Sequence, residues 1–223
     1  MFINNAMQRS IVIIAAGGSG TRFGSLLPKQ FCTLGDRPVL SHACSRLMSL
    51  PGVVATVVVI DPAYAAYAPD GVLTAAPGRS RWASVRNALA ECAHVEADVI
   101  LVHDGARPLP SRSMMERVVA ACRDHQGAIP VVAVTDSLRR ADGSPANRAD
   151  FRAVQTPQAF RADLLRQAYG VPESPEFTDD ASVMTAAGFG DIALVDGDTR
   201  NIKITNPMDL KIAGLYLEDG GVD

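Results

Sequence analysis

Residues 15–31 read AAGGSGTRFGSLLPKQF, taking over from the apolar run IVIIAA at 11–16. A β-branched run ending in a glycine-rich loop is a common start for a nucleotide site, so the loop must be typed first. The dinucleotide fingerprint needs GxGxxG with an acidic residue about 20 positions further on. Gly18 and Gly20 supply the first pair, but the third position is Phe23 and Gly24 comes one residue late. The P-loop pattern ends in GK[ST], and neither GKS nor GKT occurs in the chain. What is left is a flexible backbone whose N–H groups can converge on an anion, followed by two cations, Arg22 and Lys29. Cations beside such a nest suit a phosphate.

Outward from the loop, short apolar runs alternate with amphipathic ones. VATVVVI (54–60), DVILVHD (98–104) and AIPVVAV (128–134) read as strands buried on both faces, and VLTAA (72–76) as a weaker one. Segments 39–50, 79–92 and 114–122 read as helices; Trp82, Val85, Leu89 and Cys92 share one face of the second. This βαβα rhythm predicts an α/β fold, a mostly parallel twisted sheet with flanking helices and ligands at the strand ends. TDDASVMTAAG predicts a helix capped by Thr178, and DIALVDG and NIKIT read as strands. The final helix starts with Asn206 as cap and Pro207 at its first position, and Met208, Ile212 and Leu215 face one way.

The polar, turn-rich stretch TDSLRRADGSPANRADF at 135–151 breaks the rhythm and predicts a projecting hairpin around Asp142–Gly143. The 223 residues predict a single domain over 1–223, with this β-arm at about 135–155 and no room for a second complete enzyme. A net charge of −3 argues against nucleic acid or an anionic membrane as partner, and no apolar run is long enough to span a bilayer. The N-terminus MFINNAMQRS lacks the order of a signal peptide, and Cys32, Cys44, Cys92 and Cys122 form no CxxC pair; both predict a cytoplasmic protein with reduced thiols. The four histidines show no zinc spacing.

Two further signals carry chemistry. In VHDGARP (102–108), Asp104 ends a buried strand on the ligand edge of the sheet, and a single carboxylate with phosphate oxygens suits Mg²⁺; Arg107 is its nearest candidate ion partner. In TRNIKIT, Lys203 sits between Ile202 and Ile204 and must point to the other face, either solvent or the site, between which alternation alone does not choose.

AAG…G…R…PKQF, VHDGARP, QTPQAF, TDDAS and NIKIT, in that order, resemble the 2-C-methyl-D-erythritol 4-phosphate cytidylyltransferases from about Ile11 to the final helix. The resemblance implies a Rossmann-like nucleotidyltransferase that moves CMP from CTP to methylerythritol phosphate with Mg²⁺. It also implies a homodimer whose arms reach the neighbouring sites. Arg22 and Lys29 stand where the family has its transition-state cations, and Arg148 and Lys203 where it positions the sugar phosphate. Ala15, Ala16, Gly17, Gly18, Gly20, Arg81 and Ser84 correspond to the CTP surface, and Asp104 to the metal-associated aspartate. Ser137, Arg107 and Thr156 fall on the substrate side. The glycine loop is one residue longer than usual, Pro77 replaces a glycine, Arg79 replaces a residue that is often acidic, and Ser137 replaces a threonine. A cytidylyltransferase for another polyol phosphate, such as ribitol 5-phosphate, shares much of this pattern.

Overall fold

In the computed structural model, which describes residues 7–18, 23–24 and 27–220, β1 (Ser10–Ala15) is buried on both faces. Ile11 and Ile13 enter one core cluster with Val57, Val59, Val85 and Leu89. Val12 and Ile14 enter a second, on the opposite face, with Leu40, Leu47, Val58 and Leu101. Side chains alternate along a strand, so an unbroken β-branched run needs a helix layer on each side.

The other described elements follow in chain order: β2 (Thr33–Leu34), β3 (Arg37–Pro38), α1 (Val39–Met48), β4 (Val53–Val59), β5 (Leu73–Ala75), α2 (Arg81–Glu91), β6 (Val99–Asp104), α3 (Arg112–Ala121), β7 (Gly127–Ala133), β8 (Leu138–Arg139), β9 (Pro145–Ala146), β10 (Arg152–Val154), β11 (Gln158–Arg161), α4 (Ala162–Ala168), α5 (Asp180–Ala186), β12 (Ile192–Asp196) and α6 (Pro207–Glu218). The main sheet runs β10-β7-β11-β6-β1-β4-β5, with β12 also on β7. β4, β1 and β6 pair in parallel, as do β4 with β5 and β7 with β12. β11 is antiparallel to both neighbours, and β10 is antiparallel to β7. The fold is therefore α/β, Rossmann-like and mostly parallel, with helices on both faces. None of the described helices is long and apolar enough to cross a membrane.

β8 and β9 pair only with each other, in a two-stranded hairpin. Asp142 Oδ1 accepts from the Ser144 N–H at 2.9 Å and shapes its turn. This is the protruding arm.

Two local expectations are corrected and two points the sequence left open are settled. NIKIT forms no strand: of its backbone, Ile204 N–H donates to Ala106 O at 2.8 Å, but no neighbouring strand offers a ladder. The cap of α5 is Asp179, not Thr178; its side chain accepts from Ser182 N–H at 2.9 Å in a reciprocal capping box. α6 turns Ala213 inward, against a cluster of Phe23, Leu34, Val39, Leu109 and Ile204, with Leu210 and Leu217 packed beside it. Met208 and Leu215, on the apolar face grouped from the sequence, are 59% and 60% exposed. Finally, QAFR in the QTPQAF region is a core strand, where the sequence pattern predicts no element.

Candidate active site

β1 and β6 are paired in register so that Ala15 lies opposite Asp104, the last residue of each strand. A cavity of about 540 Å³ opens at this carboxyl edge. Its wall includes Ala15, Ala16, Gly17 and Gly18 after β1, Lys29 and Gln30, Arg79, Arg81 and Ser84 at the start of α2, then Asp104 and Lys203. Gly20 and Arg22 lie outside the described residues.

The glycine loop is held by Gln30, which is buried. Its amide Nε2 donates to Ala16 O and to Gly18 O, each at 2.7 Å. Gln30 belongs to a single 3-10 turn, Lys29–Phe31, and the next residue, Phe31, stacks on Tyr64 with ring centroids 4.6 Å apart. The Lys29 turn is thus anchored from two sides. Gly24, the late glycine of the loop, adopts φ +73°, a conformation that favours glycine. At Gly17 a side chain has no room: a Cβ there would lie 2.4 Å from Pro77 Cβ. Pro77 therefore closes directly on the loop.

Ser80 caps α2, accepting from Ala83 N–H at 3.0 Å. Ser84 Oγ donates to Ser80 O at 2.8 Å and accepts from Gly78 N–H at 3.0 Å. Ser84 therefore shapes the wall as well as lining it.

Asp104 gathers three cations. Lys203 Nζ lies 2.7 Å from Oδ2, Arg81 Nε 3.4 Å from Oδ1, and Arg107 Nε 3.9 Å from Oδ2. Burial opposes ionisation of Asp104, but Arg81, Lys203 and Arg107 outweigh it and hold its carboxyl far below the usual carboxylate range. Burial also weakens the Arg81 charge, yet Asp180 and Asp104 more than offset that and raise its pKa. Arg107 is lowered by burial, which Asp104 only partly opposes.

Arg107 and Thr156 are not in the cavity wall. Arg107 donates to Asn201 O at 2.8 Å, behind Asp104. Thr156 is buried beneath the site, and its hydroxyl accepts from the Asp104 N–H at 3.0 Å. His103 Nε2 lies 2.9 Å from Arg107 O, an acceptor, so this nitrogen carries the proton; Nδ1 then accepts from Thr156 Oγ1 at 3.2 Å. Burial pushes the His103 imidazole down to about 4. Both residues bear on Asp104 from below and reach the cavity only through it.

Ser137 is exposed on the arm. Arg148 donates to Thr135 O of its own chain and lines a separate cavity with Ala133, Val134 and Arg152. Neither meets the Asp104 cavity within one chain.

Sequence reasoning missed Gln30, Asp180 and Gln158. Asp180 is fully buried and pairs with Arg81 at 2.7 Å. Gln158 accepts from the Asp180 and Ala181 N–H groups at 3.1 and 3.2 Å. For Gln158 the available signal was the pair of glutamines in QTPQAF, Gln155 and Gln158, since amides that become buried need partners.

Comparison with known proteins agrees with this architecture. The family model for 2-C-methyl-D-erythritol 4-phosphate cytidylyltransferase matches residues 10–219. The chain is 42% identical over 218 residues to the bifunctional enzyme IspD/IspF of Rhodospirillum rubrum, covering 93% of this chain and 56% of that protein. It therefore spans little more than half the length of that relative. It is 38% identical over 224 residues to the 2-C-methyl-D-erythritol 4-phosphate cytidylyltransferase of Bacteroides thetaiotaomicron, covering 95% of this chain and 100% of that one. The solved structure of the Thermus thermophilus 2-C-methyl-D-erythritol 4-phosphate cytidylyltransferase matches with a TM-score of 0.76 at 32% identity, over 95% of this chain and 100% of that one. The glycine loop, the Asp104 edge and these matches agree: the chain is a nucleotidyltransferase and belongs to the 2-C-methyl-D-erythritol 4-phosphate cytidylyltransferase family.

Proposed function

We propose that the chain transfers CMP from CTP to 2-C-methyl-D-erythritol 4-phosphate, releasing pyrophosphate, and that it acts as one cytoplasmic catalytic domain with an arm. The observation that carries this is the convergence of Lys29, Arg81 and Lys203 with Asp104 in one cavity at the carboxyl edge of β1 and β6. An oxygen of the 4-phosphate forms a new bond to the α-phosphorus of CTP, and the bond from that phosphorus to the bridging oxygen of pyrophosphate breaks. The nucleophile is already an anion, so no serine, cysteine or histidine nucleophile is needed. The difficulty is bringing two anions together, and the protein's contribution is placement and charge.

The loop amides from Ala15 to Gly20, with Ser84 and Arg81, take the nucleotide in this reading. Lys29 and Arg22 meet the charge that develops at the α-phosphate. Lys203 and Arg148 hold the incoming phosphate, where an arginine fork gives direction as well as charge. The substrate-side roles of Arg107 and Thr156 are indirect, since both bear on Asp104 from beneath. Ser137 belongs with Arg148 on the arm.

The donor set suits Mg²⁺. Asp104 is the only acid in the described cavity wall, it is held ionised, and Mg²⁺ is commonly bound by one or two carboxylates plus substrate phosphate oxygens. When bound, the ion neutralises triphosphate charge; Asp104 is the residue that would hold it.

Arg148 enters a site from the partner chain in a homodimer. Support comes from its position on an arm beside a second cavity of about 570 Å³, and from Phe151 and Val154, which are 45% and 40% exposed next to it. Light scattering after size exclusion tests the dimer.

The substrate is tested by pyrophosphate release from CTP with methylerythritol 4-phosphate, with ribitol 5-phosphate and with no acceptor. Release is expected only with the first. Release only with ribitol 5-phosphate would overturn the assignment.

A further inference from the structure

Asp180 is fully buried and lies outside the cavity wall. A buried carboxylate is costly unless paired and hydrogen-bonded, and this one is both. Its Oδ2 accepts from an Arg81 terminal nitrogen at 2.7 Å, and its Oδ1 accepts from the Tyr169 hydroxyl at 2.6 Å. Its own N–H donates to Gln158 at 3.1 Å. Tyr169 is fixed in turn by stacking on Trp82, the neighbour of Arg81 in sequence, with ring centroids 5.9 Å apart.

Arg81 is therefore divided. One nitrogen is held on Asp180 while Nε lies 3.4 Å from Asp104. An arginine fork frequently closes on a single carboxylate with two parallel bonds. Here a second carboxylate, 76 positions further along the chain than Asp104 (180 − 104), prevents that closure.

We infer that Asp180 is a positioning residue for nucleotide binding: it holds the Arg81 guanidinium in the cavity wall and keeps it from closing on Asp104. This rests on the nucleotidyl-transfer reading above. A purely structural Asp180 would serve only the packing of α5 against α4. Removing Arg81 separates the two roles: a positioning role vanishes with it, whereas a packing role persists.

The test is a double-mutant cycle of Asp180→Asn and Arg81→Gln. CTP affinity with Mg²⁺ is read by calorimetry, and turnover by pyrophosphate release. Asp180→Asn keeps the shape and removes the charge. It is expected to weaken CTP binding about tenfold or more, the usual scale for removing an outer partner of a site residue. Added to Arg81→Gln, it is expected to change the affinity less than about twofold, the signature of coupled residues. The double variant should also melt above Arg81→Gln alone, because the second change removes an unpaired buried charge. Tyr169→Phe keeps the ring stack and loses one bond to Asp180. It should shift CTP affinity in the same direction by a smaller factor, again only when Arg81 is present, and it decides the matter should Asp180→Asn fail to fold. Equal losses in both Arg81 backgrounds, or full CTP affinity in Asp180→Asn, would overturn the inference and leave the reaction assignment standing. A wild-type protein that binds no CTP would overturn both.

Discussion

Gln30 offers the sharpest test of how the loop is organised. It is only 3% exposed, and one amide nitrogen holds two backbone carbonyls, Ala16 O and Gly18 O, each at 2.7 Å. Gln30→Met keeps most of the volume and removes both bonds. The Ala16 carbonyl belongs to a residue that is 3% exposed, so water cannot readily replace the amide there; leaving it unpaired costs about 1–3 kcal/mol. Gly18 is exposed, so its carbonyl is rehydrated and that loss is smaller, about 0.5–1 kcal/mol. The sum, offset in part by the more apolar side chain, is about 2 kcal/mol. For a domain of this size that lowers the melting temperature by about 4–8 °C.

The same bonds tie the glycine loop to the Lys29 turn. If about 1.4 kcal/mol of the lost order must be restored when nucleotide binds, the dissociation constant for CTP rises about tenfold. Gln30→Glu should be worse on both counts, because a carboxylate would face two carbonyl oxygens and the incoming triphosphate. Thermal melts with and without CTP and Mg²⁺, paired with calorimetry, read both quantities. A Gln30→Met protein that melts within about 1 °C of wild type and binds CTP equally well would refute the reasoning, since a stability loss near 2 kcal/mol cannot hide in so small a shift.

Lys29→Ala should lower turnover about 100-fold or more with a smaller change in CTP affinity, as for other preorganised contacts to a developing charge; an unchanged turnover number sinks that role. Arg148→Ala should raise the Michaelis constant for the sugar phosphate more than that for CTP, and mixing it with a Lys29→Ala chain would test the proposed dimer, since an arm acting across it would restore activity in the mixture. His103 is neutral in the fold down to about 4 against an ordinary 6.5, so the unfolded chain binds the extra proton between those values and stability falls as pH drops through that window, by roughly 3 kcal/mol in all. Urea titrations at pH 7 and pH 5 should show this loss in wild type and a flatter profile in His103→Gln; parallel profiles would refute it.

The sheet was legible where its residues left no choice. An unbroken β-branched run such as that in β1 can be satisfied only with apolar layers on both faces, and the clusters around Ile13 and Ile14 supply them. The inner face of α6 was not legible, because two sets of positions share helical spacing. Met208, Ile212 and Leu215 form one set, and Leu210, Ala213 and Leu217 the other. The pocket between Leu34 and Ile204 that selects the second is invisible in the chain. At Lys203, period-two alternation set the side chain apart from Ile202 and Ile204 but could not choose between solvent and the site; no strand forms, Ile204 is buried and Lys203 reaches Asp104. Asp180 was out of reach for a different reason. As the second acid of TDDAS it reads as an ordinary favourable charge at a helix start, and its partner Arg81 lies 99 positions away.

The balance of charge around the cavity explains why two of its cations, Arg81 and Lys203, are already paired. Lys29, Arg79, Arg81 and Lys203 line it against a single acid, Asp104. Such a cluster suits two anionic reactants but repels itself, and flexible cations left to solvent would have to be gathered at the moment of reaction. Asp104 holds Lys203 and one nitrogen of Arg81, while Asp180 holds another from outside the wall. His103 and Thr156 fix the Asp104 backbone from beneath through the Thr156 hydroxyl. Arg81 and Lys203 are therefore positioned before substrate arrives, which is the condition under which charge stabilises a transition state without reorganisation at the moment of reaction. On this argument Asp104→Asn does more than remove the carboxylate proposed to hold Mg²⁺. It releases Lys203 and one anchor of Arg81 together, so Lys203→Ala made in the Asp104→Asn background should cost less than it does in wild type. Equal costs in the two backgrounds would mean that Lys203 works independently of the carboxylate it touches.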